Sequence, residues 1–331
     1  MHQAKRLITE KKMKARKLYS GCCNTNHVKQ HSRSGWFPST AGKSVFVVGL
    51  MSVLSGCEPK GSVSLTGVSS HTIVHDGLSR EYIMYVPASY DGSSKLPLMF
   101  NFHGGGGDAA GQMYISDMRS LAEEENFIVI YPQGTALENG DGHWNTMISS
   151  EGNKSSTNDI GFISSLIDDL AVSHNIDTDR VYATGYSNGA GFAYTLGCHL
   201  SDKIAAIAPV SGLMMDQLHG VCRPSHPTGV LILNGTADGA RPYEGIDGWL
   251  FSIDRTIEYW TSVNQTNAAA VVRTLDGGSI EHHAFTGGSA LVEHYKFIDG
   301  GHWWFEIDDE GANIDRLIWN FVSRHDKNGL R

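Results

Sequence analysis

From about Ser69 to His325 the chain alternates short apolar runs with stretches of helical period. The segment Arg80–Pro87, REYIMYVP, switches between polar and apolar positions, as a half-buried strand does. Runs at Leu96–Gly104, Asn126–Gly134, Arg180–Ser187, Ile204–Gly212 and Gly229–Gly235 are nearly continuous apolar stretches interrupted at Gly or Pro. Such runs are the mark of strands covered on both faces, as in a mostly parallel sheet. A last strand is expected at Leu291–Asp299. Between them, Asp159–Asn175 sets Ile163, Leu166, Ile167, Leu170 and Ala171 on one helical face. Asn188–Leu200, Ile253–Val263 and Ala312–His325 are further helices. Strand–helix alternation over roughly 250 residues predicts one α/β domain across 69–326, undivided by a linker and followed by a short tail at 327–331.

The pattern before residue 69 is different. Residues 1–42 are polar and basic, and read as a disordered extension or as a start assigned too far upstream. Cys22, Cys23, His27 and His31 faintly suggest zinc spacing, but no second half of a finger follows. At 43–57, Lys43 precedes an apolar run from Ser44 to Leu54 that ends in Leu54-Ser55-Gly56-Cys57. A short apolar run behind a positive charge is a signal-peptide core, too short for a stable span. Its ending resembles the bacterial lipobox, in which the cysteine is acylated; an ordinary secretory signal is the alternative. The expectation is an exported protein of the cell envelope, held to the membrane only by a lipid at Cys57. Residues 58–68 form a short linker.

Composition supports a large core: the 331 residues are 40% hydrophobic, with 12 Phe, 12 Tyr and 7 Trp. Of 26 Lys/Arg and 35 Asp/Glu, the first 56 residues hold ten bases and one acid, leaving 16 bases against 34 acids in the body. That body repels phosphate backbones, which excludes a nucleic-acid partner. Setting aside Cys22, Cys23 and Cys57, two of the five cysteines remain, Cys198 and Cys222. In an exported domain they are expected to form a disulfide, with two unrelated buried thiols as the alternative.

With 38 glycines a chance G-x-S-x-G is unremarkable, so the context of Gly185-Tyr186-Ser187-Asn188-Gly189 matters more than the match. Ser187 falls where a predicted strand ends and a predicted helix begins, the setting of a nucleophile elbow. Gly185 and Gly189 remove the Cβ atoms that such a turn would press together. The Asn188 N–H, at the helix start, is positioned to face a developing oxyanion. A second donor is expected from Gly105 in FHGGGGD (Phe102–Asp108), after the Leu96–Phe102 strand. Gly104, Gly106 and Ala109 also fit a dinucleotide loop, but the next strand ends in Pro132-Gln133-Gly134 without the acid that reading needs. Asp238, on the loop after Leu231–Asn234, is the expected triad acid, with Asp247 and Asp254 as competitors. Among sixteen histidines, His302 is selected because it follows a strand and Gly300-Gly301. His294 lies within a predicted strand and His325 ends a predicted helix; His282 and His283 are the other choices. Glu281-His282-His283 lacks a matching third zinc ligand. The chemistry so assembled requires neither metal nor cofactor.

With these residues in place the chain resembles the polyhydroxybutyrate depolymerase and feruloyl esterase family of α/β-hydrolases, including carbohydrate esterase family one. The stretches that carry the resemblance are FHGGGGD, His143–Asn145, Asn158–Leu170, Asp177–Cys198, IAAIAPVSG, NGTADGARPY and DGGHWW, within about Thr72 to His325. The resemblance implies an α/β-hydrolase fold with a mostly parallel sheet and Ser187, Asp238 and His302 as the triad of a serine carboxylesterase. WNTMISSEG lacks cysteines common after the Trp-Asn pair, so the family's disulfides are partly absent.

About 16 residues, 213–228, separate two strands at the usual lid position, too few for a large cap. An open site suits bulky or polymeric esters. Trp144 and Trp304 are expected to form a platform for an aromatic acyl group or a sugar, with core packing as the alternative. An esterase of feruloyl or acetyl groups on polysaccharide leads. A hydroxybutyrate polyester or oligomer depolymerase follows, with no polymer-binding domain after residue 326 to support it. A non-catalytic surface lipoprotein and a serine peptidase are more distant.

Overall fold

The computed structural model of the chain describes residues 66–147, 153–307 and 313–331. The basic extension, the signal-like segment and Cys57 lie outside the described residues. Gly61–Arg331 is one compact unit.

In chain order the elements are strands β1 (Gly67–His75), β2 (Leu78–Val86) and β3 (Leu96–Phe102), helices α1 (Ala109–Ile115) and α2 (Arg119–Glu125), and strand β4 (Ile128–Pro132). The two-residue strands β5 (Thr135–Ala136) and β6 (Gly142–His143) form a small hairpin, followed by α3 (Asp159–Ser173), β7 (Ile176–Tyr186), α4 (Asn188–His199), β8 (Ala206–Val210), α5 (Asp216–Val221) and β9 (Gly229–Gly235). Helix α6 (Ile253–Asn264), strands β10 (Val271–Leu275), β11 (Ile280–Phe285) and β12 (Val292–Phe297) and helix α7 (Ile314–Val322) complete the main frame.

Ten strands make one sheet in the order β1-β2-β4-β3-β7-β8-β9-β12-β11-β10. The six from β4 to β12 in that order pair in parallel; β1 and β2 at one edge, and β11 and β10 at the other, pair antiparallel. The mostly parallel α/β-hydrolase sheet expected from the sequence is borne out. The edge strands β1, β10 and β11 were not foreseen, because their mixed polar sequences alternate too weakly against one core. In β10, Val271 and Val272 face solvent.

Alternation along the central strands divides the core in two. Leu98, Phe100 and Phe102 of β3 join one cluster with Phe162 and Leu166 of α3 and Phe192 of α4. Met99 of the same strand joins the other, with Leu121 of α2 and Ile318 and Trp319 of α7. Every residue of β3, β4, β8 and β9 is buried, the reason those runs read as continuously apolar. Cys198 of α4 and Cys222, which follows α5, are joined by a disulfide that ties the short lid-position segment to the frame. Among the described residues no helix is long and apolar enough to cross a membrane.

Two charged groups pin the segment that leads into α3. Arg80 of β2 donates to Asp159 Oδ1 at 2.7 Å, and the Asn145 N–H donates to Asp159 Oδ2 at 2.8 Å. Burial raises the Asp159 pKa, against the opposing pull of Arg80 and of those hydrogen bonds. Asn158 caps α3 by accepting the Gly161 N–H at 2.9 Å. His294, a rejected triad candidate, lies fully inside: its Nδ1 is 3.0 Å from the Ile232 carbonyl oxygen and its Nε2 is 2.8 Å from the Tyr243 hydroxyl. His325, read as a helix end, follows α7 in a two-residue strand and is buried too.

Burial pushes His294 down to about 3 and His325 down to about 4. In the unfolded chain both titrate near 6.5. Below about pH 6.5 the unfolded chain therefore takes up protons that the native state refuses, and stability falls as pH is lowered towards 3. Asp315, raised by burial to about 6, works in the opposite sense between about 4 and 6. Urea unfolding of wild type and His294→Gln between pH 7.5 and 4.5 isolates the histidine. The wild type is expected to lose more stability, by at most about 1.4 kcal/mol per pH unit for one proton; equal slopes would contradict a neutral buried His294.

Candidate active site

Ser187 occupies the sharp turn between β7 and α4 with φ 54° and ψ −109°. A non-glycine residue in this region is strained, and the surroundings must hold it there. Its N–H donates to the Val210 carbonyl of β8 at 3.0 Å, and its carbonyl accepts the Gly191 N–H at 3.0 Å. The flanking glycines are required by close backbone approach. A Cβ on Gly189 would lie 2.5 Å from the Phe102 carbonyl oxygen and 2.6 Å from that of His103. One on Gly185 would lie 2.8 Å from the Gly189 carbonyl group. The turn is thus packed directly onto the end of β3.

Asp238 is buried on the loop after β9. Its Oδ1 accepts the N–H groups of Ala240 and Arg241, each at 2.8 Å. Its Oδ2 lies 2.8 Å from His302 Nδ1, and His302 Nε2 lies 2.8 Å from Ser187 Oγ. Since Oδ2 can only accept, Nδ1 carries a proton, leaving Nε2 free to accept from the serine hydroxyl. The three residues chosen from the sequence stand in one hydrogen-bonded chain. Asp247 and Asp254 take no part in it.

The His302 loop is held by two hydroxyls. Tyr186 donates to the His302 carbonyl at 2.8 Å, and Ser211 donates to the Trp303 carbonyl at 2.6 Å. Burial, with the nearby Asp238 charge, pushes the Tyr186 phenol up to about 12, so it remains a donor. Neither residue was singled out from the sequence, since each is one hydroxyl among many until the loops are folded together.

The two expected oxyanion donors are adjacent. Asn188 is the first residue of α4, where an N–H has no intrahelical acceptor. A Cβ on Gly105 would sit 3.6 Å from Asn188 Cβ. Two further groups that the sequence reading passed over shape this corner. The Asn188 side chain both accepts the Trp144 N–H at 2.8 Å and donates to the Trp144 carbonyl at 3.1 Å. Buried His103 pairs its Nδ1 with the Gly104 carbonyl at 2.8 Å and accepts the Gly134 N–H on Nε2 at 2.9 Å. Burial lowers the His103 pKa, which keeps it neutral in that role. The signal for His103 was present as the first letter of HGGGG.

The tryptophan expectation requires correction. Trp144 is 0% exposed, stacked on Phe192 at 5.0 Å and edge-on to Phe102, with its indole N–H donating to the His103 carbonyl at 3.1 Å. It is a core residue beneath the glycine loop, because its own N–H and ring are both consumed there. Trp304 packs partly buried against the second core cluster. The neighbour faces solvent instead: Trp303, immediately after His302, is 58% exposed. Adjacent side chains on this loop point in opposite directions, and sequence cannot say which way. Among the described residues no group of three or more His, Cys, Asp or Glu side chains is placed to hold a metal ion. His282 instead hydrogen-bonds Glu293 at 2.8 Å.

Comparison with known proteins bears on the fold and on the family resemblance. Residues 80–228 match the family described as Esterase PHB depolymerase. The bifunctional acetylxylan esterase/xylanase XynS20E of Neocallimastix patriciarum is 28% identical over 248 residues, 75% of this chain and 34% of that protein. Feruloyl esterase B of Piromyces equi is 29% identical over 255 residues, 74% of this chain and 45% of that protein. The chain therefore spans a third to a half of the length of these curated relatives. An acetyl xylan esterase from Aspergillus awamori shares the fold, with a TM-score of 0.58 at 16% identity, covering 77% of this chain and 99% of its own. The resemblance to the depolymerase and feruloyl esterase family is borne out.

The close approach at Gly189 generates a test. Gly189→Ala is expected to push back the His103–Gly104 backbone, lowering kcat/KM on an ester by about 10²-fold or more, the order lost with one oxyanion donor. Thermal unfolding should shift with it, since overpacking costs about 1–3 kcal/mol. Activity within twofold of wild type at unchanged Tm would refute the packing argument.

Proposed function

We propose that the chain is a serine carboxylesterase, and that its substrates are feruloyl or acetyl esters of polysaccharide. The single observation that carries the reaction type is the unbroken hydrogen-bonded chain from Asp238 through His302 to Ser187 on a strained turn. Ser187 Oγ attacks the ester carbonyl while His302 takes its proton, and Asp238 stabilises the imidazolium. The Gly105 and Asn188 N–H groups receive the oxyanion of the tetrahedral intermediate. His302 then protonates the departing alcohol. A water activated by the same imidazole hydrolyses the acyl-enzyme and releases the acid. Support for the substrate class comes from relatives whose names state acetylxylan and feruloyl esterase. The matched family description supports a second reading, hydrolysis of hydroxybutyrate oligomers.

Full-length wild type and Ser187→Ala assayed on 4-nitrophenyl acetate, methyl ferulate and hydroxybutyrate oligomers test both readings. Wild type alone should turn over, with the mutant reduced by about 10⁴-fold or more. Preference for ferulate or acetate would favour the first substrate class, preference for the oligomers the second. Comparable rates in both proteins would remove Ser187 as nucleophile.

Export is part of the same proposal, supported by the Cys198–Cys222 bridge and by the Lys43–Cys57 segment. Expressed in a Gram-negative host, the chain should take up labelled palmitate, and Cys57→Ser should not. Equal labelling of the two would discard the anchor.

A further inference from the structure

Arg241 stands beside the proposed triad, and among the described residues no acid is in ion-pair contact with it. Its backbone N–H donates to Asp238 Oδ1 at 2.8 Å, on the carboxylate that meets His302 through its other oxygen. One guanidinium N–H is used on the Ala240 carbonyl at 2.8 Å, and the Cζ atom lies 6.0 Å from the ring centroid of Trp249. A guanidinium has five N–H donors in a planar fork, so most of this one is uncommitted. Arg80, Arg180 and Arg316 each meet a carboxylate; among the described residues none is in ion-pair contact with Arg241.

Its charge reaches groups on two segments near the proposed triad. Its charge acts on Tyr186, whose hydroxyl holds the His302 loop. It also acts on His143, which follows Gly142, the residue whose carbonyl accepts the Gly106 N–H of the glycine loop. Lys154 adds a second positive charge near His143, while burial first, then these cations, push His143 down to about 4, leaving it neutral. Arg241 is itself partly desolvated: burial lowers its pKa against the attraction of Asp238 and Tyr186. Asp238 attracts it without forming an ion-pair contact; partial desolvation of a cation is costly, and a planar guanidinium is matched in shape by a carboxylate. Exposed Trp249 provides aromatic surface beside it, and exposed Trp303 directly follows His302. All of this occurs in a body that carries 16 bases against 34 acids, where an unpaired positive site is against the trend.

We propose that Arg241 is a specificity-determining residue, which binds a carboxylate carried by the ester substrate close to its scissile bond. The inference rests on the esterase reading above. The carboxylate has two chemical sources. It belongs either to the alcohol side, as a uronate in the polysaccharide, or to the acyl side, as the free acid end of a short acyl chain.

Matched pairs of substrates separate these sources and the two readings. The acyl-side pair is 4-nitrophenyl acetate and 4-nitrophenyl hemisuccinate. The alcohol-side pair is acetylated xylo-oligosaccharide and acetylated galacturonate oligomer. Full-length wild type, Arg241→Gln and Arg241→Lys are compared by the ratio of kcat/KM for the charged member to that for the neutral one. In one pair the wild type should favour the charged member, and Arg241→Gln should lower the ratio by about 10–100-fold, mainly through KM, the range expected for a hydrogen bond to a charged group. Arg241→Lys should retain part of the preference, and 0.5 M salt should narrow it in wild type. The pair that responds identifies the source. Damage to the triad lowers both members of a pair alike and leaves the ratio unmoved, so an unchanged ratio in Arg241→Gln for both pairs would overturn the inference while the esterase reading stands. Wild type inactive on all four esters would remove the esterase reading, and this inference with it.

Discussion

The backbone of Ser187, held at φ 54° where β7 gives way to α4, is the constraint on which the rest of the site depends. A residue in this region costs about 1–3 kcal/mol unless its surroundings over-determine it. Here they do. The Ser187 N–H and carbonyl are both hydrogen-bonded, and Gly189 lies against the carbonyls of Phe102 and His103 at a distance no side chain would tolerate. The turn that holds Ser187 therefore packs through Gly189 onto the carbonyls from which the glycine loop starts. Ser187 and the glycine loop are positioned by one piece of packing between two neighbouring parallel strands, β3 and β7.

Around that contact the polar groups are arranged so that few depend on side chains from solvent. Asp238 is buried and receives two backbone N–H groups, which fix the oxygen that does not face His302. His103 and Asn188 are used to hold backbone: one on the glycine loop, the other on the Trp144 peptide. Trp144 then forms the apolar floor beneath them. An aromatic residue near a site is often taken for a ligand platform, yet here the ring packs on Phe102 and Phe192 and its N–H is used on the His103 carbonyl.

Arg241 and Trp249 lie near each other on the chain that follows Asp238, and the short lid-position segment is tied down through Cys198–Cys222. A segment so brief cannot enclose a substrate; selectivity has to come from the few side chains on the rim.

Much of this was legible before folding. Continuous apolar runs disclosed the buried parallel strands, because a strand covered on both faces has no polar side to show. Gly185 and Gly189 disclosed the sharp turn, and chain order with strand-end position singled out Asp238 and His302. Edge strands β1, β10 and β11 escaped, since a strand with one wet face and little core to meet carries a weak pattern. The sequence by itself determined which residues had the chemistry and on which strand ends they stood, because those depend on local backbone geometry. Only the tertiary structure decided that Trp144 is core and Trp303 is exposed, that Asn188 clamps a peptide, and that Arg241, beside Asp238, meets no carboxylate among the described residues. Side-chain direction and charge pairing are set by neighbours brought in from distant segments, and no local pattern encodes them.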